Sequence, residues 1–135
     1  MQHLSARFDS LQTILKAGTQ AAQSANLKKT QSDASIIIIG QTTSIDAIMK
    51  NSGLGDIPKE IVTLETDSPT LKTLSDARLN GQFDSAYQKA LSQKIESTMA
   101  LMREVSDKTN SKTLKNALST AYSYFSTILD QLAKL

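Results

Sequence analysis

The sequence has no cysteine and no tryptophan, and its 135 residues include a single histidine. The absence of cysteine excludes disulfide bonds, thiolate nucleophiles and cysteine-based zinc sites. A serine nucleophile needs a positioned base. The one imidazole that could serve belongs to His3, close to the N-terminus. No Gly-x-Ser-x-Gly elbow and no glycine-rich phosphate loop occurs either. These absences predict a non-enzymatic protein without a metal or a cofactor.

An excess of charge and long apolar runs are also missing. The formal net charge is +2, and Lys28-Lys29 is the one basic doublet. Because nucleic-acid-binding surfaces usually carry a basic stripe with aromatic partners, we expect no nucleic-acid partner. No apolar run approaches about 18 residues, so we expect no membrane span. The length predicts one domain over residues 1–135, and the scarcity of aromatic residues, 4%, predicts a core of Leu, Ile and Ala.

What the sequence does have is apolar residues at helical spacing. In the last segment of the chain, successive apolar residues are four and three residues apart in alternation. This spacing is typical of a helix packed lengthwise on other helices. This stripe comprises Leu114, Leu118, Ala121, Phe125, Ile128, Leu132 and Leu135, with Asn110 or Ser111 as N-cap. A first helix is predicted from the stripe Leu4, Phe8, Leu11, Leu15, Gly18, Ala22 and Ala25.

Two further helices are predicted between residues 68 and 106. The long one runs from about Phe83 to about Ser106 and buries Phe83, Tyr87, Leu91, Ile95, Thr98, Met102 and Val105. The short one begins with Ser68 as N-cap and Pro69 as first helical residue, ends at Asn80-Gly81, and buries Leu71, Leu74 and Leu79. Asp84 is expected to meet the free N–H groups of its own helix. Residues 59–67 are expected to form a loop or a loose turn.

The segment from Leu27 to Ser52 contains four consecutive isoleucines, 36–39, followed by Gly40. Such a run is typical of a buried strand, yet no partner strand is evident. A helical period surrounds it at Thr30, Ala34, Ile37, Gln41, Ile45 and Ile48. We therefore predict a helix that contains Gly40 and ends at Gly53.

Four consecutive side chains sweep most of the way around a helix, so the isoleucines cannot all face one stripe. Ile36 and Ile39 are therefore predicted to form an exposed contact patch, unless the 53–68 connection covers them. Together, four long helices and one short helix between the second and third predict an all-α, up-down-up-down four-helix bundle.

Three polar residues, Gln41, Lys94 and Tyr124, lie on or beside the predicted apolar stripes. They are either satisfied one by one, as a buried amide, a snorkelling lysine and a rim tyrosine, or they line a small polar pocket inside the bundle. We expect the first arrangement.

A di-metal centre in a bundle needs two glutamates and two Glu-x-x-His pairs. The chain has only Glu60, Glu65, Glu96 and Glu104, and no histidine except His3. We therefore expect no metal site.

The stretch from Leu79 to Tyr87, Leu-Asn-Gly-Gln-Phe-Asp-Ser-Ala-Tyr, resembles the "Leu-x-Gly-x-x-Phe-Asp-x-x-Tyr" start of the third helix in the domain-of-unknown-function 4142 family. The match is specific at Phe83, Asp84 and Tyr87, although one residue fewer separates Gly from Phe. The connection from Gly55 to Pro58 is similar to a Gly-x-x-Pro element of that family. The resemblance implies a ferritin-like bundle in an exported bacterial protein.

Three positions depart from the pattern of that family. The family commonly has Asp-His where this chain has Gly40-Gln41, and histidines where it has Lys94-Ile95 and Tyr124. The resemblance therefore implies the fold and export, and it carries no metal chemistry over to this chain.

The leading hypothesis is a non-enzymatic helical-bundle protein of the bacterial cell envelope that acts through contacts with an unknown protein partner. It would be periplasmic or exported, with a signal peptide removed; the alternative is the cytoplasm. A second hypothesis is a carrier of a small apolar ligand, held in a gap between helices lined by Gly18, Ala21, Ala22 and Ala25, with Gly40 opposite. A third, a ferritin-like metal protein, lacks its ligands.

Overall fold

The computed structural model describes residues 1–135, and its regular secondary structure is entirely α-helical, as predicted. The six helices are α1 (Gln2–Ala21), α2 (Ala25–Asn51), α3 (Lys59–Glu65), α4 (Ser68–Leu79), α5 (Phe83–Lys108) and α6 (Lys112–Ala133). The expectation of a loop at 59–67 is wrong, because α3 occupies most of it. Two short helices, not one, therefore separate the second and third long helices. With seven residues, α3 is too short to display a helical period in the sequence.

The four long helices pack side by side in a ring. α1 lies between α2 and α5, and α6 also lies between α2 and α5. The seam at the centre of this ring is apolar, and 25 buried hydrophobic residues form one continuous cluster there. The long helices therefore share a single core, as expected when each contributes one apolar stripe.

The direction of the long helices differs from the up-down-up-down order. Gln31 of α2 donates to the carbonyl of Leu15, and Gln12 donates to Thr42, so α1 and α2 run antiparallel. Arg7 of α1 donates to the carbonyl of Ser97 of α5, whereas the later residue Gly18 meets Tyr87, which lies earlier in α5. α5 is therefore also antiparallel to α1, and hence parallel to α2.

Gln88 of α5 donates to the carbonyl of Leu132 and Arg103 donates to Tyr122, so α6 is antiparallel to α5 and the order is up-down-down-up. The chain must consequently return along the bundle between α2 and α5. The connection does so through α3 and α4: α3 packs on α1, and α4 packs on α5 and, less extensively, on α1. Leu74 of α4 is buried and Leu71 is partly buried against the core, whereas Leu79 is 84% exposed, contrary to prediction. The expected order is wrong because α3 and α4 carry the chain back along the bundle before α5 begins.

The predicted stripes of the first and last helices match the observed core closely. Every member of the α6 stripe is buried except Leu135, which lies beyond the helix. In α1 the stripe is buried from Leu4 to Gly18. Ala22 is buried in the turn after α1, whereas Ala25 is exposed at the start of α2. The first helix therefore ends earlier than its pattern indicates.

The ends of α2 and α4 are closed by glycines with positive φ. Gly53 has φ 102°, and the following amide, that of Leu54, donates to the carbonyl of Met49 at 3.0 Å. Gly81 after α4 has φ 71° in the same arrangement. Left-handed backbone suits glycine, so the two predicted helix ends are confirmed. At the start of α4 the N-cap is Asp67 rather than Ser68, with φ 58°.

None of the six helices combines the length and the apolar character that crossing a bilayer requires.

Candidate functional site

The outer surface of α2 and α6 carries no charge along its middle. α2 has no Asp, Glu, Lys or Arg between Asp33 and Asp46, and α6 has none between Lys115 and Asp130. The two helices are direct neighbours. We call their exposed residues between these charges the uncharged face. Its members are Ile36, Ile39, Gly40, Thr43, Ser44, Asn116, Ser119, Thr120, Ser123, Tyr124 and Thr127.

The exposed side of α5 shows the opposite composition. Between Lys89 and Lys108 its exposed positions are mostly charged, and they form the kind of solvated surface that a soluble helix normally presents. The charged positions are Lys89, Glu96, Arg103, Glu104, Asp107 and Lys108. Loss of charge at the centre of a surface patch is the compositional mark of an interface core. The uncharged face is therefore the best candidate for a functional surface.

Ile36 and Ile39 lie on this face, in the middle of α2. Ile36 is 72% exposed and Ile39 is 43% exposed, whereas Ile38 is fully buried and Ile37 packs partly against the core. The four isoleucines are helical, and Gly40 lies inside the helix, as predicted. The 53–68 connection does not cover Ile36 and Ile39, because α3 packs on α1 rather than on α2.

Of the three polar residues on or beside the predicted apolar stripes, only Lys94 is buried. Gln41 is half-buried at the edge of α2. Tyr124 is 45% exposed and belongs to the uncharged face, so it does not point into the bundle. The reason is the rotation of each helix: the inward stripe of α6 passes through Phe125, and that of α2 passes through Thr42. No polar pocket joins the three residues.

Lys94 forms an ion pair with Asp67 at the start of α4. Its Nζ lies 3.1 Å from Oδ2 of Asp67, and their side chains are 10% and 26% exposed. Burial opposes ionisation of Asp67, but hydrogen bonds from Lys94 and Thr70 outweigh it, so the pKa of Asp67 lies below its ordinary value. The lysine that stands where the resembled family has a histidine therefore fastens the α3–α4 connection to α5.

A second ion pair beside the first was not predicted from the sequence. Nε and one terminal nitrogen of Arg7 each donate to Glu65 at 2.9 Å, and Glu65 is 6% exposed. The other terminal nitrogen donates to the carbonyl of Ser97 at 3.2 Å. A bidentate pair of this geometry is among the stronger hydrogen-bonded contacts in proteins. It joins α1, α3 and α5, so this cluster of charges holds the connection in place.

Gln31 and Thr42 are the inward polar groups of α2, and neither was predicted from the sequence. The Gln31 amide donates to the carbonyl of Leu15 at 2.9 Å and to Oγ1 of Thr19 at 3.0 Å. Thr42 is fully buried. A second helical period in the sequence could have identified them. This alternative stripe of α2 comprises Gln31, Ala34, Ile38, Thr42, Ile45 and Met49.

Phe83, Asp84 and Tyr87, the residues that carry the family resemblance, lie beside the turn between α1 and α2. The rings of Phe83 and Tyr87 stack with centroids 5.3 Å apart. Asp84 accepts hydrogen bonds from the amides of Gln23 and Ser24 at 2.9 and 2.7 Å, rather than from its own helix as expected. Burial raises the pKa of the Tyr87 hydroxyl, and the side chain of Gln31 offsets this only in part. The motif therefore has a structural task in this chain.

The gap proposed for an apolar ligand does not form between Gly18 and Gly40. The ring of Tyr87 fills the space beside Gly18, and Gly40 lies on the outer surface of α2 rather than opposite it. The observation that suggested a carrier therefore has a different explanation, the close approach of α5 to α1.

The largest cleft, about 840 Å³, lies at the end of the bundle beside the turn between α1 and α2. Glutamine amides, Arg78, Lys89 and the already bound carboxylate of Asp84 provide most of its polar lining. No group of three or more His, Asp or Glu side chains that could hold a metal ion is present in the chain.

Comparison of the chain with family models, with characterised proteins and with solved structures found no match.

Proposed function

We propose that this chain is a non-enzymatic helical-bundle protein that acts by contact between proteins through the uncharged face of α2 and α6. The observation that carries the proposal is the absence of charge from two neighbouring exposed helix surfaces, while α5 carries charge along most of its exposed positions. A solvated surface gains nothing from losing its charges, whereas a protein interface core does. Ile36 is the most exposed residue of the face among those with large apolar side chains, and so it is the expected anchor.

The proposal is tested by light-induced crosslinking in the cells that make the protein. A photoreactive phenylalanine analogue replaces Ile36 in one variant and Glu96 in a matched control, because Glu96 is an exposed position of the charged side of α5. We expect a defined protein adduct from position 36 and none from position 96. The same adducts from both positions, or none from position 36, would contradict the proposal.

We propose further that the bundle is ferritin-like and belongs to the bacterial cell envelope. Ferritin-like bundles have one long crossover connection, and the return of this chain through α3 and α4 supports that assignment. The envelope location is supported by the resemblance at Phe83, Asp84 and Tyr87. It is tested by cell fractionation: recovery of the protein in the cytoplasmic fraction would contradict it.

A further inference from the structure

We infer that the partner of the uncharged face is a second copy of this chain, packed with α2 against α2 about a two-fold axis. The inference rests on the proposed function, since it names the occupant of the same face. It is carried by three observations, namely the shape of α2 around Gly40, the composition of the face and its extent.

Gly40 has no explanation within the folded chain. A Cβ atom at this position would meet nothing within 4 Å, and the glycine lies in the interior of a helix with ordinary backbone geometry. Glycine there costs about 0.5–1 kcal/mol of stability relative to alanine. The missing side chain leaves a recess on the helix surface. Such a recess allows a partner to approach the backbone closely.

The matching projection lies one turn away on the same helix. Ile36 is four residues before Gly40, and residues four apart are neighbours on a helix surface. With Ile36 72% exposed, the face carries a projection and a recess side by side. A two-fold axis between them places Ile36 of each copy over Gly40 of the other. A surface that is complementary to itself in this way is the requirement for an isologous dimer.

The composition of the face also suits a second copy. A two-fold contact sets a surface against its own image, so a charged surface would oppose many of its own charges at the centre. The uncharged face has none to oppose, and its Ser and Thr hydroxyls can donate to or accept from the same groups of the partner. The charged exposed side of α5 is less suited to such an arrangement.

The extent of the face is compatible with a reversible dimer. Twelve charge-free residues of α2 span about 18 Å, and the charge-free segment of α6 lies beside them. A standard interface buries about 800 Å² per partner, part of it a polar rim. The charged residues that border the patch can supply that rim. Interfaces of standard size range from micromolar to much tighter affinity, and a face with one large, highly exposed anchor is expected at the weak, micromolar end.

The experiment measures the mass of the purified full chain by sedimentation equilibrium at about 1–500 µM. Ile36→Lys removes the projection, and Gly40→Leu fills the recess in a place where the monomer has free space. The same two side chains are placed at Ala100, an exposed position of α5, as matched controls. We expect a wild-type dimer, an increase in Kd of at least tenfold in both α2 variants, and no change with Ala100→Lys or Ala100→Leu. At a protein concentration low enough for both to be monomeric, the melting temperature of Gly40→Leu should equal or exceed that of the wild type.

A wild-type chain that stays monomeric at 500 µM, or a dimer that both α2 variants leave intact, would overturn the inference. Together with crosslinking at position 36 to a different protein, the monomer result would reject the second copy but leave the proposed function standing. A monomer without any adduct at position 36 would reject both.

Discussion

The ring of Tyr87 occupies the space that a side chain at Gly18 would need. A Cβ atom at position 18 would overlap the end of the phenol ring, because α1 and α5 approach each other closely here. Tyr87 is fully buried, and Phe83 stacks on it one turn earlier. The glycine and the tyrosine therefore form one packing unit at the end of the bundle, beside the turn that Asp84 binds.

Gly18→Ala should destabilise the protein, because the ring of Tyr87 has to move within a dense core. Overpacking of this kind typically costs about 1–3 kcal/mol, more than the roughly 1 kcal/mol that alanine gains in a helix. The free energy of unfolding, from urea titration, measures the effect. Gly40→Ala is the matched control and should instead raise monomer stability by up to about 1 kcal/mol, since its Cβ meets nothing. Equal effects of the two variants would contradict this account.

The sequence predicts the central stripes well because each long helix buries only one side at the seam. In α6 the apolar residues occupy that side alone, so their period defines the buried face, and Ser111 caps the helix as expected, accepting from the amide of Leu114 at 3.1 Å. In α2 the four isoleucines place apolar side chains on every side of the helix. The helical period is therefore compatible with two rotations of α2 about its axis, one that buries Ile37 and one that buries Ile38. The observed rotation buries Ile38 and exposes Ile36.

The path of the chain between α2 and α5 was not predictable from local pattern. Two ion pairs direct this path, Arg7 with Glu65 and Lys94 with Asp67. Each joins residues far apart in sequence, and an ion pair produces no periodic pattern by which it could be predicted. The uncharged face illustrates the same limit. Two charge-free segments are visible in the sequence, but only packing brings α2 and α6 side by side.

Asp84→Ala should loosen the turn between α1 and α2, because the amides of Gln23 and Ser24 lose their acceptor. The loss should be about 1 kcal/mol, since both hydrogen bonds are exposed to water. Amide hydrogen exchange at residues 23 and 24 should become faster, while exchange in the middle of α5 should be less affected. Asp76→Ala is the control: Asp76 pairs only with Lys72 on the surface, and its loss should change stability by less than about 0.5 kcal/mol. Unchanged exchange at residues 23 and 24 would refute the role of Asp84.

Asp67→Asn should lower stability at neutral pH, because it removes the charge that Lys94 meets in a largely buried place. Asparagine tolerates the positive φ of this position, so the backbone should be retained. We expect a loss of about 1 kcal/mol at pH 7. The pKa of Asp67 is lowered in the folded state, so the wild type has this advantage above the ordinary value of 3.8 and loses it as the pH falls through the lowered pKa. Unfolding measured from pH 7 to pH 2 should show the two proteins converging at the acid end, and a constant difference would contradict the assignment.

Asp46→Asn should raise stability at neutral pH, which is the opposite of the effect expected for Asp67→Asn. Burial raises the pKa of Asp46, the neighbouring charge of Asp9 raises it further, and Ser5 and Lys50 offset only part of this. One of its carboxylate oxygens is buried without a hydrogen-bond partner. The folded state therefore binds a proton at Asp46 more tightly than the unfolded state, so ionisation destabilises the wild type at pH values above the raised pKa. The neutral amide escapes this penalty.

The melting temperature of Asp46→Asn should therefore exceed that of the wild type at pH 7. The difference should shrink as the pH falls through the raised pKa towards the ordinary value of 3.8, where the wild-type carboxyl is itself protonated in the folded state. Asp56→Asn, at an exposed position of the connection after α2, controls for the general effect of removing a negative charge. If Asp46→Asn melts below the wild type at pH 7, the carboxylate is favourably bound between α1 and α2, and the penalty assigned to its burial does not exist.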